Sequence, residues 1–243
     1  PEDQTLVETL RVGIDGTDRE VLKDSDEIMP PGENHMIMGH EALGRVIESD
    51  TFDEGQLVVP TVRRPSDSCP VKFDDRPDFC APGSYVERGI YHAHGYCSER
   101  FAEKDEYLVP VPENLEEVGV LVEPTSIVVK ALDEALKAQE RLEFAPESAL
   151  VLGSGSIGLL ASMVLKRKGL EVTTVDIVDD DHPKVEILES IGAEYVDNRE
   201  QDIDELGDFD IALESSGVTS QIFEAVRILN ANGALVSVGL PRD

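Results

Sequence analysis

The sequence predicts an α/β protein in two parts: a β-rich N-terminal half, then a doubly wound parallel sheet. Three observations predict it. Up to Glu123 the chain runs in short apolar segments punctuated by Gly, Pro and Asp, the pattern of strands and turns. From Pro124 onward apolar strands alternate with stretches of helical periodicity, which indicates parallel strands joined by helices. Between the first such strand and helix stands Gly153-Ser-Gly-Ser-Ile-Gly158. A length of 243 residues is long for one core and comfortable for two smaller ones.

The first half places strands at 9–14, 36–38, 44–47, 56–60 and 107–111, with a long, poorly periodic stretch over 61–105. Such stretches inside compact domains are usually functional. A helix begins at Pro124, a residue suited to a first helical turn, and Ile127, Val128, Ala131, Leu132, Ala135 and Leu136 recur at helical spacing. Domains are accordingly expected over 1–127 and 128–243. In the second, strand Ser148–Leu152 precedes a helix over 157–168 that stops at Gly169, and strand Glu171–Asp176 follows. Helix 184–191, strand 194–196, strand 210–213, helix 220–229 and strand 233–238 complete the alternation. Five strands are written where a full doubly wound nucleotide domain has six, and the chain does not open with methionine. Both observations predict a fragment.

Acidic side chains number 51 against 21 basic ones (13 Arg, 8 Lys), a formal net charge of −30. That field repels nucleic acid and anionic membranes, and both are set aside as partners. Forty per cent of the residues are apolar, too many for a disordered acidic chain, so the acid is a coat on a folded protein. A lysine-poor, acid-rich coat predicts a cytoplasm of very high salt, where a Debye length of about 3 Å at 1 M mutes self-repulsion. Three cysteines, Cys69, Cys80 and Cys97, make no disulfide framework. No run of 18 apolar residues occurs, and the expected setting is cytoplasmic.

The glycine motif follows a strand and opens a helix, the context in which it binds a dinucleotide. Gly153 permits the tight turn, Gly155 lets backbone approach a pyrophosphate, and Gly158 lets helix press on strand. The N–H groups from Ser154, Ser156 and Ile157 then face the phosphates at the positive end of the helix. Asp176 ends the second strand, 18 residues beyond Gly158, near the ~20 expected for the acid on the ribose hydroxyls. Ile177-Val178-Asp179 offers no cation for a 2′-phosphate, so NAD is expected over NADP. Ser216 and Gly217, after the fourth strand, are further candidates to lie along the cofactor.

A second stretch, His35-Met-Ile-Met-Gly-His40-Glu41, sets an imidazole beside a carboxylate after an apolar run. Such a pair costs solvation unless backbone hydrogen bonds or a metal satisfy it, and the pair alone decides nothing. Further pieces are "VGIDGTD" (12–18), "GHEALG" (39–44), "VVPTVRRP" (58–65), "RPDFC" (76–80), "ERGI" (87–90), "HGYCSE" (94–99), "DEYLVPVP" (105–112), "VEP" (122–124) and "VLGSGSIGLL" (151–160). Through these the chain resembles the medium-chain zinc-dependent alcohol and polyol dehydrogenases, and within them the haloarchaeal glucose 1-dehydrogenase branch.

The resemblance implies a GroES-like catalytic domain before a Rossmann domain, with the first strand and the final return of the chain missing. It implies a catalytic zinc held at Asp15, His40 and Glu123, with aspartate where the wider family carries cysteine. Glu41 matches the adjacent acid, a candidate for proton relay and substrate contact, and Thr17 and Glu87 match sugar-contacting positions; Glu123 also borders the substrate. A structural zinc lobe would fall on Ser66, Cys69, Lys72 and Cys80; two thiols do not close a tetrahedral site, so one catalytic zinc and no structural zinc is expected, and Cys97 is expected to pack as a small apolar side chain. The implied reaction is oxidation of an aldose, glucose first, at C1 to the lactone. Another sugar, polyol or secondary alcohol, or a nucleotide-binding relative without turnover, stay open. Relatives of this type assemble as dimers or tetramers, and a homodimer or homotetramer is expected.

Overall fold

The computed structural model describes residues 3–23, 27–67, 69 and 77–240. The chain divides into two compact units, Pro1–Glu123 and Pro124–Asp243.

In the first unit, β1 (Gln4–Gly13), β2 (Glu41–Glu48), β3 (Leu57–Pro60), β7 (Arg100–Lys104) and β8 (Leu108–Val111) form one sheet in the order β7-β1-β2-β3-β8. Every pairing in it is antiparallel. Successive residues of a strand face opposite sides, and on β2 this sends Ala42 and Val46 into one core with Val7, Val58, Tyr96 and Phe101. Leu43 goes to the other, with Leu57, Val59 and Val111. β4 (Arg63–Pro65), β5 (Tyr85–Arg88) and β6 (His92–Ala93) make a small second sheet. A six-residue helix, α1 (Gly16–Val21), follows β1.

The second unit opens with α2 (Val122–Gln139) and builds one parallel sheet from β9 (Ser148–Leu152), β10 (Glu171–Asp176), β11 (Glu194–Asp197), β12 (Phe209–Glu214) and β13 (Leu229–Ser237). Their order is β11-β10-β9-β12-β13. Ala149 and Val151 of β9 face Val128 and Leu132 of α2 and Ala161 and Leu165 of α3 (Ser156–Arg167). Leu150 and Leu152 face the opposite core with Val175, Ala212 and Ala225. Burying each such leucine contributes about 1.5–3 kcal/mol, and α4 (Pro183–Ser190) and α5 (Thr219–Arg227) complete the layers. The α/β class with a doubly wound second half is therefore as the sequence predicts. No helix among the described residues is long and apolar enough to cross a membrane.

One expectation needs correction. Residues 36–38 form no strand: Ile37 and Met38 lend carbonyls to the N–H groups of Gly95 (2.6 Å) and Cys97 (2.9 Å), the Ile37 N–H goes to a side chain, His94, and Gly39 at φ +85° turns the chain before a ladder can form. Within the poorly periodic stretch 61–105, the described residues carry β4 to β7. These strands run two to five residues and are rich in charge, too short for period-2 alternation to register.

Candidate functional site: an acid-rich metal centre and a nucleotide turn

β1 delivers the chain to Asp15, which sits at the N-cap of α1 in extended geometry (φ −124°, ψ −162°). Its Oδ1 accepts the Asp18 N–H at 3.1 Å, and the Asp18 Oδ2 accepts the Asp15 N–H at 3.0 Å, a reciprocal capping box. Thr17 Oγ1 donates to Asp15 Oδ2 at 3.2 Å. The residue the sequence reading missed is Asp18, buried to 1% exposure; the Asp-x-x-Asp spacing of a capping box was the available signal.

His40 enters from the other side, at the start of β2, and is also buried. Its Nε2 lies 3.8 Å from Asp15 Oδ1 and its Nδ1 3.7 Å from Asp18 Oδ1. These contacts are too long for hydrogen bonds, and His40 Nδ1 and Asp18 Oδ1 are both buried without a hydrogen-bond partner. Gly13 pairs with Glu41 across β1 and β2, and a Cβ at Gly13 would sit 1.9 Å from Glu41 Oε2. The glycine is thus what lets the Glu41 carboxylate lie over the end of β1. Glu123 joins from the first turn of α2.

Two sets of ligand atoms lie mutually within 4.8 Å: Asp15, Asp18 and His40, and His40, Glu41 and Glu123. His40 is common to both. Asp15 and Glu123 thus each meet His40, but they fall in different sets. Burial pushes the Glu123 carboxyl up to about 7, with Glu41, Asp15 and Glu87 adding to it and His40 opposing. Burial raises Glu41 as well, again with Asp15. For His40 burial acts downward, but the Asp18, Asp15 and Glu123 carboxylates outweigh it and the net shift is up. Four carboxylates around one imidazole leave an excess of negative charge that a cation would relieve. One imidazole nitrogen with several carboxylate oxygens is a legitimate zinc set, so these residues fit that ion.

A third set, Glu33, His35 and His94, is more exposed. There the Ile37 N–H donates to His94 Nδ1 at 3.1 Å, so the ring proton sits on Nε2 and serves Glu33 at 2.9 Å. That nitrogen is not available to a metal. Cys69 and Cys80 are both buried, and a hydrogen bond between their thiols pushes Cys80 up. Ser66 spends its hydroxyl on Ser84 O at 3.0 Å, while Lys72 lies outside the described residues. Cys97 is exposed rather than packed: its Sγ lines the tight turn at Gly39, where a Cβ would come within 2.6 Å of it.

In the second unit, Gly153 adopts φ +91°. A Cβ at Gly158 would strike Gly153 O at 1.8 Å, whereas one at Gly155 would meet nothing. The turn is therefore closed on the sheet side and open where a pyrophosphate would approach. Gly155 caps α3 without a side-chain bond to its first amides, while the Ile157 side chain packs into the core, leaving only its backbone for a ligand. Asp176 Oδ2 accepts the Ser154 N–H at 2.7 Å and its hydroxyl as well, and Oδ1 accepts the Ile177 N–H at 2.7 Å. Burial raises the Asp176 carboxyl, yet these bonds outweigh it and the net shift is down. Ser216 backbone lies against Gly153, within 3.1 Å of where a Cβ there would be.

An antiparallel domain carrying an acid-and-imidazole cluster that could hold a metal ion, and a parallel domain carrying a glycine turn, are the two parts of the zinc-dependent nicotinamide dehydrogenase class. Residues 1–113 match the alcohol dehydrogenase GroES-like domain, and residues 116–243 match the glucose dehydrogenase C-terminus. The chain is 41% identical over 251 residues to glucose 1-dehydrogenase of Haloferax mediterranei, covering 99% of itself and 70% of that protein. It is 42% identical to the Haloarcula marismortui enzyme of the same name, covering 98% and 70%. It superposes on H. mediterranei glucose dehydrogenase in complex with NADP, Zn and gluconolactone at TM-score 0.92 and 39% identity, covering 100% of itself and 71% of that chain. The chain belongs to the medium-chain zinc dehydrogenase family, and it is an NAD(P)-dependent, glucose 1-dehydrogenase-like oxidoreductase.

Proposed function

We propose that this protein oxidises an aldose, glucose first, at C1 to the lactone, with Asp15, His40 and Glu123 holding one catalytic zinc ion. The observation that carries the reading is the cluster of buried His40, Asp18 and Glu41 with half-buried Asp15 and Glu123. When bound, the zinc ion supplies a Lewis acid to the sugar O1 and the dinucleotide a hydride acceptor. The chain's own residues do the rest. Asp18 faces His40 Nδ1 at 3.7 Å and acts on the ring through its charge. Glu41, its carboxyl raised by burial, takes the proton that leaves O1. Thr17 and Glu87 line one cavity of about 420 Å³, of a size for a small ligand. Arg63 fixes Glu87 by two N–H bonds to Oε1 at 3.0 and 2.8 Å, leaving Oε2 to accept from sugar hydroxyls.

A spectrophotometric screen of aldoses, polyols and secondary alcohols at high salt, with and without zinc, tests this. Glucose should give the largest kcat/KM, Asp15→Ala should abolish turnover, and sedimentation in the same buffer should give a homodimer or homotetramer. Turnover in a metal-free preparation would defeat the zinc assignment.

NAD is the expected cofactor over NADP, although the H. mediterranei relative was crystallised with NADP. Asp176 stands at the ribose end, and Arg199, a nearby cation, is already bound to Asp197 at 2.5 Å and Asp179 at 2.8 Å. A 2′-phosphate there meets the Asp176 carboxylate, offset by one cation, Lys184 Nζ, at 4.0 Å from Oδ2. Asp176→Gly with Ile177→Arg and Val178→Arg should shift the ratio of kcat/KM toward NADP by about tenfold or more, the equivalent of about 1.4 kcal/mol. An unchanged ratio would end the assignment.

A further inference from the structure

Glu214, the last residue of β12, is a carboxylate with no part in the chemistry above. It is 1% exposed. Its Oε1 accepts the Gly217 N–H at 2.6 Å and the Ser216 hydroxyl at 2.9 Å, and its Oε2 accepts the Ser237 hydroxyl from β13 at 2.8 Å. A Cβ at Gly239 would come within 2.8 Å of the carboxylate, so backbone closes over it. Among the described residues no Lys, Arg or His pairs with it. A buried carboxylate satisfied by neutral donors alone is expensive to keep, and the same loop geometry could be held by a neutral acceptor.

Its location supplies the reason. The sheet order reverses between β9 and β12, and a dinucleotide crosses a doubly wound sheet at that reversal. Asp176 on β10 marks the adenosine ribose side, and the Gly153 turn on β9 marks the pyrophosphate. The remaining half of the cofactor must therefore extend over the end of β12, where Ser216 packs on Gly153 and Glu214 lies beneath. The nicotinamide ring carries a positive charge when oxidised and none when reduced.

We propose that Glu214 is a positioning residue of the cofactor site whose buried carboxylate, holding the Ser216–Gly217 loop, favours the oxidised cationic nicotinamide over the reduced neutral one. The proposal rests on reading the Gly153–Gly158 turn as a dinucleotide site. Its consequence is tighter capture of the oxidised cofactor and easier release of the reduced product.

Dissociation constants of NAD+ and NADH, measured on the full chain by NADH fluorescence and its displacement by NAD+, test it. Glu214→Gln keeps size and acceptor but removes charge, and should weaken NAD+ about tenfold while leaving NADH within about twofold, the scale of one charge acting at short range in protein. Ser237→Ala removes a donor that offsets the charge. It should move the ratio about twofold the opposite way, and it carries the test if the glutamine variant does not fold. Parallel changes in both constants, or no change in either, would overturn the proposal while leaving the site reading intact. A wild-type chain that binds neither cofactor would overturn the site reading, and the proposal with it.

Discussion

Replacing Asp18 by asparagine leaves the volume behind His40 unchanged and removes its charge. The carboxylate lies 3.7 Å from His40 Nδ1, beyond hydrogen-bond length, and is itself buried, so its charge acts on the imidazole through space. Asp18→Asn should lower zinc retention and kcat/KM by about 10–100-fold, read by metal analysis and by assay, with the melting curve little changed. Glu123 makes a second prediction at this scale. Burial and its acidic neighbours raise its carboxyl to about 7, so in the metal-free protein the group is about half protonated at neutral pH. The sign is that of a raised carboxyl. The penalty is absent below the unfolded value near 4.3 and complete above about 7. Metal-free stability therefore falls, on account of this group, as pH rises through that window. Zinc uptake near pH 7 should release protons, making its calorimetric enthalpy depend on the buffer's ionisation heat; a buffer-independent enthalpy would contradict it.

The β9–α3 junction depends on contacts between backbone atoms, which cannot give way as side chains can. Gly158→Ala would press a methyl to 1.8 Å from Gly153 O, and overpacking of that kind costs about 1–3 kcal/mol. The expected outcome is a lower urea midpoint together with loss of NADH fluorescence enhancement. Gly155→Ala, open on all sides, should lose cofactor binding with far less effect on the midpoint. This junction was legible in the sequence because its logic is local: strand, glycines and helix are contiguous, and Asp176 lies at a fixed offset. The candidate metal cluster was only half legible. Asp15, His40, Glu41 and Glu123 could be named by resemblance, but α1 is six residues long, below the length at which periodicity registers. Asp18 therefore carries no signal in the sequence beyond its Asp-x-x-Asp spacing. Glu214 escaped for the complementary reason: its burial arises from β13 and the 216–217 loop closing over it, which no pattern within β12 reveals.

Fifty-one acidic and 21 basic side chains give the whole molecule a self-repulsion that its ion pairs do not cancel. Many of the pairs are exposed, such as Lys23 with Glu20 and Arg227 with Asp204, and exposed pairs contribute about 0–1 kcal/mol each at best. The internal charges behave differently. Asp210 is held by Glu147, Ser148 and Asn230, and Glu103 pairs with Arg64 and Arg88, with little exposure to screening ions. Salt therefore acts on the coat and leaves the interior pairs nearly untouched. Relieving the coat's repulsion should raise the melting midpoint between dilute buffer and multimolar KCl, at about 2–4 °C for each kcal/mol gained. Sucrose at matched osmolality separates the causes, since it strengthens burial by exclusion without screening charge. A midpoint that rises in KCl well beyond the sucrose control identifies electrostatic relief. Equal midpoints in dilute and concentrated KCl would mean that the coat imposes no strain, and that the acidity of this chain has to be explained by hydration or solubility instead.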